Sequence, residues 1–316
     1  MERSHQRVEK IKKENLNKSL SRWPNFYIVG AAKCGTTSLY YYLNSHPNVY
    51  MSTMKEPHFF AQVNPTKEQR HIVPVVSNEV DYLKLFEGCE DGMLKGEASP
   101  SYLWSEKAPL NIYEKAPDGK IIILLRDPIE RAYSHYLMDF RQGVQTKSFY
   151  EALKEDYSKK EKGWGVSHLY VELGLYYEQV KRYLETFGDD QIKVLLFEDL
   201  KSNRESLMEE ICGFLDVDFN LLAFEKDKVY LRYAAPRNKL AQKVMGNPMI
   251  RNAAKFVPQA FRTGIKDKVL FKRTEKPKMD ENSKNFLKEV YETDLQQLES
   301  LLNKDLSKLR KVWDVN

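Results

Sequence analysis

Residues 26–43, FYIVGAAKCGTTSLYYYL, constrain this chain more than any other stretch. A short apolar run ends in small residues, passes into a loop and continues with helical spacing, which predicts a buried strand, a loop and a helix in succession. Gly30 and Gly35 have the spacing of the triphosphate-binding loop G-x-x-x-x-G-K-[ST], yet Thr36 stands where that loop has its lysine. Lys33 lies inside the loop instead, and Thr36 and Thr37 put two hydroxyls at the helix start. Backbone N–H groups and the helix dipole at such a junction favour an anion. No motif downstream clearly supplies a metal carboxylate, so the loop suits an anion with less charge at its transferring end and no metal.

The rest of the chain repeats the alternation. KIIILLRDP (120–128) is a β-branched apolar run closed by a charge and a proline, and QIKVLLFEDL (191–200) is a second such run. MLKGEAS (93–99) reads as a further strand. Helical spacing follows in 129–143 up to Gly143, in 175–190 with a glycine stop, and in 203–217 with Asn203 or Ser202 as the cap. Continuous apolar strands alternating with amphipathic helices predict an α/β fold, a mostly parallel sheet flanked by helices on both faces. We expect a polar arm over 1–22 and a single domain over 23–316. Within it, 219–279 is irregular and basic, and 280–310 is a closing helix.

Nine Lys/Arg against Asp267 and Glu275 make 251–278 the one basic stretch of a chain whose net charge is only +5. A solvated face explains it, and so does a surface for an acidic substrate or membrane headgroups; it lacks the interleaved aromatics of a nucleic-acid site. No run approaches the roughly 20 apolar residues that span a bilayer, and the charged N-terminus has no secretory core. Cys34, Cys89 and Cys212 are scattered without metal-ligand spacing. These features lead us to expect a cytoplasmic protein with free thiols.

Taken together, Lys33-Cys34-Gly35-Thr36-Thr37-Ser38, KEPHFF (55–60), GEASPSYL (96–103) and IIILLRDPIERAYSHY (121–136) resemble the sulfotransferases that use 3′-phosphoadenosine 5′-phosphosulfate (PAPS). The pattern is closer to the carbohydrate and bacterial branch than to the steroid and phenol branch, and it covers about 25–215. The resemblance implies the phosphate-loop-like sulfotransferase fold, with PAPS as co-substrate and no metal. It implies that residues 33–38 hold the 5′-phosphosulfate, with Lys33 stabilising the departing nucleotide, and that Arg126 and Ser134 grip the 3′-phosphate. Independently of it, Arg126 ends a strand, where ligands bind in such sheets, and Ser134 lies about two helical turns on.

Transfer to a hydroxyl needs a general base. Glu56 and His58 share one side of an extended segment; the resemblance makes Glu56 the base with His58 as partner, while the other branch uses a histidine alone, so both remain candidates. Ala98 stands where some carbohydrate members carry a lysine, leaving Glu97 and Ser99 to line an acceptor pocket. The family's C-terminal donor loop is not plain here, and Arg237 in YAAPRNKL (233–240) is the substitute. Trp164, His168 and the tyrosines of 162–177 fall in the region that caps the site in related enzymes. The acceptor is a small metabolite, a natural product or a sugar, sulfated on a hydroxyl or an amine. A metal-dependent kinase is disfavoured by the displaced lysine, and a mere nucleotide- or polyanion-binding module by the Glu56–His58 pair.

Overall fold

Every pairing in the main sheet is parallel, and its strand order places the first strand at the centre. The computed structural model describes residues 22–66, 73–223 and 276–313, with the backbone alone of 235–236 and 271–272. In chain order the elements are β1 (Phe26–Gly30), α1 (Thr36–Leu43), β2 (Val49–Met51), α2 (Glu79–Lys84), β3 (Leu94–Ala98), α3 (Ser101–Trp104) and α4 (Ala108–Lys115). There follow β4 (Lys120–Leu125), α5 (Pro128–Gln142), α6 (Phe149–Ser158), α7 (Tyr176–Thr186), β5 (Ile192–Leu196), α8 (Phe197–Ser202), α9 (Arg204–Leu215) and α10 (Glu281–Leu302). The sheet runs β2-β3-β1-β4-β5, and residues 235–236 pair antiparallel with 271–272 apart from it.

Parallel strands need crossovers, and helices covering both faces explain why β1 is wholly buried and β4 buried beyond Lys120. From β1 the chain moves outward to β2, returns through β3, and then crosses to β4 on the other side. The carboxyl ends of β1 and β4 are therefore the switch point, where an open α/β sheet forms its ligand crevice. Register depends on Gly96 in β3: a Cβ there would lie 2.1 Å from Phe26 Cζ, so only glycine lets the neighbouring strand keep its aromatic.

The motif after β4 has a local logic. Asp127 caps α5, its Oδ1 accepting from the N–H groups of Ile129 at 3.0 Å and Glu130 at 3.2 Å. Pro128 opens the helix where no N–H is needed, and Gly143 closes it with φ 72°. Arg126 is thus held at the strand end by the cap that follows it.

The sequence reading needs amendment at several ends. FEDL of 197–200 starts α8 rather than continuing β5, and the closing helix stops at Leu302 before a 3₁₀ turn at Ser307–Arg310. Asn203 precedes α9 but makes no side-chain cap. The arm and most of 219–279 lie outside the described residues.

Candidate functional site

The loop after β1 turns on Gly35, whose φ is 93°. A Cβ at Gly35 would lie 2.8 Å from the Phe197 ring, so both backbone and packing demand glycine there. No side chain caps α1 and its first turn carries no acid, which leaves the helix N-terminus open to an anion. Thr36 is almost wholly buried, whereas Thr37 and Ser38 are half-buried. Cys34 is different: its thiol faces the core, 3.8 Å from Tyr176 Oη, and burial raises its pKa to about 11. Its N–H bonds Ala31 O at 3.2 Å, so Cys34 shapes the loop from beneath.

Lys33 sits on the loop crest in the left-handed region, φ 71°. Its Nζ contacts Met138 Sδ at 3.3 Å. Burial lowers its pKa to about 8; Arg141 and Arg126 push the same way, while Asp139 and Glu56 oppose. Arg126 Nη1 donates to Lys33 O at 3.2 Å and Nη2 to Glu130 Oε2 at 3.0 Å, with the guanidinium 4.7 Å over the Phe197 ring. Lys276 Nζ reaches the same Glu130 oxygen at 2.5 Å. Ser134 is half-buried on α5, two turns beyond Arg126. Glu130 therefore gathers two cations beside the end of β4.

The segment carrying Glu56 and His58 is not extended. Both residues have positive φ, 63° and 57°, yet the carboxylate and the ring still face each other with Glu56 Oε2 at 4.0 Å from His58 Nε2. Glu56 N bonds Ala98 O at 3.0 Å, and His58 N bonds Ser99 Oγ at 3.1 Å, so the end of β3 carries both residues. His58 Nδ1 is 2.7 Å from Ser101 Oγ. Burial lowers the His58 pKa to about 4, keeping the ring neutral. Burial alone would raise Glu56, but Lys55, His58 and Lys33 outweigh it and hold the carboxylate below its usual range. Lys55 is ion-paired to Glu56 and only 18% exposed, not a free surface group. Glu56, at 37% exposure, is the member of the group that opens to solvent.

A family profile described as the sulfotransferase domain matches residues 24–299. The chain belongs to the sulfotransferase family. It is 30% identical to mouse carbohydrate sulfotransferase 15 over 249 residues, 61% of this chain and 44% of that protein. It is also 30% identical over 213 residues to the human bifunctional heparan sulfate N-deacetylase/N-sulfotransferase 3, covering 63% of this chain and 23% of that protein. The chain thus spans less than half the length of these relatives. A crystal structure of a sulfotransferase from Alicyclobacillus acidocaldarius aligns with a TM-score of 0.69 at 30% identity, covering 91% of this chain and 99% of that one. These likenesses bear out the fold and the carbohydrate and bacterial side of the resemblance. One relative, from Dictyostelium discoideum, is named as membrane-associated; no helix among the described residues here is long and apolar enough to cross a membrane.

Within this sulfotransferase domain, two expectations change. Glu97 and Ser99 are fully buried and line no open pocket. Ser99 supports His58, while Glu97 accepts from Tyr82 Oη at 3.1 Å, and burial raises its pKa to about 7. Arg237 lies outside the described residues. A salt bridge from the strand-end Arg126 to Asp127 or Glu130 is the other reading its sequence position allows, and the structure shows the Glu130 pair. Two side chains were missed by sequence reasoning: Lys276 and Asp139. Lys276 lies 146 positions from its partner and carried no local signal. Arg131, which sequence reads as either structural or on the helix surface, is structural: it is fully buried and donates to Tyr170 O.

Proposed function

We propose that this sulfotransferase moves a sulfuryl group from PAPS to a hydroxyl or amine of a sugar or other small acceptor, by in-line displacement assisted by a general base. The observation that carries the reading is the joint presence of an uncapped anion loop holding Lys33 and of Glu56, within electrostatic reach of that lysine and 4.0 Å from His58. The residues fit the donor: a glycine cradle, an open helix N-terminus and a paired Arg126 suit two separate phosphate groups. The donor would supply an activated sulfuryl group of single negative charge, with the bisphosphate nucleotide as its leaving group.

In this reading Thr36, Thr37 and the N–H groups of 35–38 hold the 5′-phosphosulfate. Lys33 stabilises negative charge on the departing side, the kind of preorganised donor that contributes most to such reactions. Arg126 and Ser134 take the 3′-phosphate, with Lys276 in reach through their shared neighbour Glu130. Glu56, the more exposed and ionised of the pair, removes the acceptor's proton. His58, neutral and anchored by Ser101, orients it. The carbohydrate and heparan sulfate enzymes among the relatives favour a sugar as acceptor.

Thermal unfolding with 3′-phosphoadenosine 5′-phosphate (PAP) tests the donor. Binding to the native state raises the midpoint by mass action. Stabilisation by PAP without magnesium supports the proposal. Equal stabilisation by ATP-magnesium and by an adenosine 5′-phosphate lacking the 3′-phosphate would favour a kinase.

A further inference from the structure

The segment 164–170 lies across the donor loop and joins two walls of the site. At one end the Trp164 ring stands 5.5 Å from the His58 ring. In the middle Leu169 packs with Ala32 of the loop itself, with Trp104 and Trp164 against the same cluster. At the other end His168 Nδ1 lies 2.6 Å from Oδ2 of Asp139, the residue next to the Met138 that touches Lys33.

His168 is held more firmly than a surface histidine. Its ring lies flat on Tyr170, centroids 4.7 Å apart and 5° between planes. Tyr170 Oη donates to the same Asp139 oxygen at 2.9 Å. A carboxylate can only accept, so it holds a proton on Nδ1, and in the corresponding neutral tautomer the lone pair lies on Nε2. Asp139 is 7% exposed, yet the His168 side chain keeps 20% exposure, and Nε2 has no hydrogen-bond partner among the described residues. A buried carboxylate thus orients an imidazole whose Nε2 no described residue satisfies.

We propose that His168 and Trp164 form the acceptor-recognition wall, with His168 Nε2 accepting from a hydroxyl other than the one sulfated and Trp164 packing on the apolar face of the same ring. The ligand class is a polyhydroxylated ring, and Asp139 is a positioning residue acting through His168. The inference rests on the sulfotransferase reading but concerns the acceptor alone. It distinguishes a sugar from an acceptor with a single hydroxyl, because only the former offers both the reacting group and a second donor. An indole face suits the C–H side of a sugar as it suits other amphipathic surfaces.

The test uses the full chain, with and without saturating PAP. Methyl glycosides of gluco, galacto and N-acetylglucosamine configuration, and cyclohexanol as the ring with one hydroxyl, are titrated by saturation-transfer NMR. We expect at least one glycoside to bind and cyclohexanol to bind at least tenfold more weakly. His168→Phe should weaken the glycoside about tenfold or more, His168→Gln less, with PAP affinity within twofold of wild type in both. Under turnover with labelled PAPS the loss should appear in KM rather than kcat. Adding Asp139→Asn to His168→Gln should change KM no further.

Thermal midpoints identify a variant that fails to fold, and the wild-type titrations and His168→Gln then decide without it. Glycoside affinity unchanged in folded His168 variants overturns the proposal. So does a wild-type protein that binds none of the glycosides, or binds cyclohexanol as well. Failure to bind PAP would count against the donor reading instead, and the titrations without PAP would still judge this one.

Discussion

Arg126 Nη1 donates to the main-chain oxygen of Lys33 at 3.2 Å, so the end of β4 is tied to the crest of the anion loop after β1. On the proposed reading, the side chain that takes the 3′-phosphate also braces the loop proposed to hold the 5′-phosphosulfate. Removing it should therefore cost more than a single phosphate contact.

For Arg126→Ala we expect PAP to bind more weakly by about 2–4 kcal/mol, the range for losing one member of a buried charged contact. Arg126→Lys should recover little, because an ammonium cannot hold Lys33 O, Glu130 and a phosphate in one plane. Isothermal calorimetry with PAP gives the answer. Affinity within twofold of wild type in Arg126→Ala would remove the assigned 3′-phosphate site.

Proton removal separates Glu56 from His58. Glu56→Gln keeps size and hydrogen bonding but cannot take a proton, so turnover should fall about 10²–10⁴-fold with PAP affinity retained. His58→Asn should lower turnover less, and the double variant should lose no more than Glu56→Gln, since one residue acts through the other. Single-turnover rates at saturating donor would check this. A silent Glu56→Gln beside a dead His58→Asn would transfer the base role to His58.

What sequence could and could not convey follows from the range of each interaction. Strand, loop and helix around Lys33, and the Arg126-Asp127-Pro128 junction, are set by neighbours a few residues apart, so apolar runs and turn chemistry announce them. β2 is three residues long and α3 four, too short for any period to register. The Glu56–His58 pairing was legible, but its backbone was not. Its two positive φ values go with hydrogen bonds that Glu56 N and His58 N donate to Ala98 O and Ser99 Oγ, some forty residues away. Burial also had no local signal at Glu97: a charged residue flanked by Gly96 and Ala98 reads as exposed until Tyr82 and its neighbours close over it.

Lys33 should impose a pH limit on donor binding. Its pKa is lowered to about 8, so its charge is present at pH 7 and is lost as pH rises through 8. PAP affinity should therefore fall from pH 7 to pH 9, by at most tenfold per unit for one proton. Lys33→Ala should bind more weakly at pH 7 and show a flatter profile. Wild-type and variant curves running parallel across that window would mean that the ammonium does not meet the donor.

Glu97 gives the last prediction, one of stability rather than catalysis. Burial raises its carboxyl pKa from 4.5 to about 7, against hydrogen bonds from Ser99, Tyr102 and Tyr82 that favour ionisation. Between those two values the native protein keeps a proton that the unfolded chain has released, so the native state loses stability as pH rises. The contribution is fully present below pH 4.5, declines through pH 7 and is then exhausted, amounting to about 3 kcal/mol for a shift of this size. His58 opposes it: with its pKa lowered to about 4, stability is lost as pH falls from 6.5. The wild-type profile alone therefore cannot isolate Glu97, and the difference from Glu97→Gln can. The amide still accepts from Tyr82 but never ionises, so in urea denaturation the variant should gain on wild type from about pH 5 to pH 7 and hold a constant lead above that. PAP affinity should not change, because the side chain faces the core rather than the cleft. A constant offset between the two profiles would show that Glu97 does not titrate in the native protein, and a loss of acceptor binding would return it to the pocket.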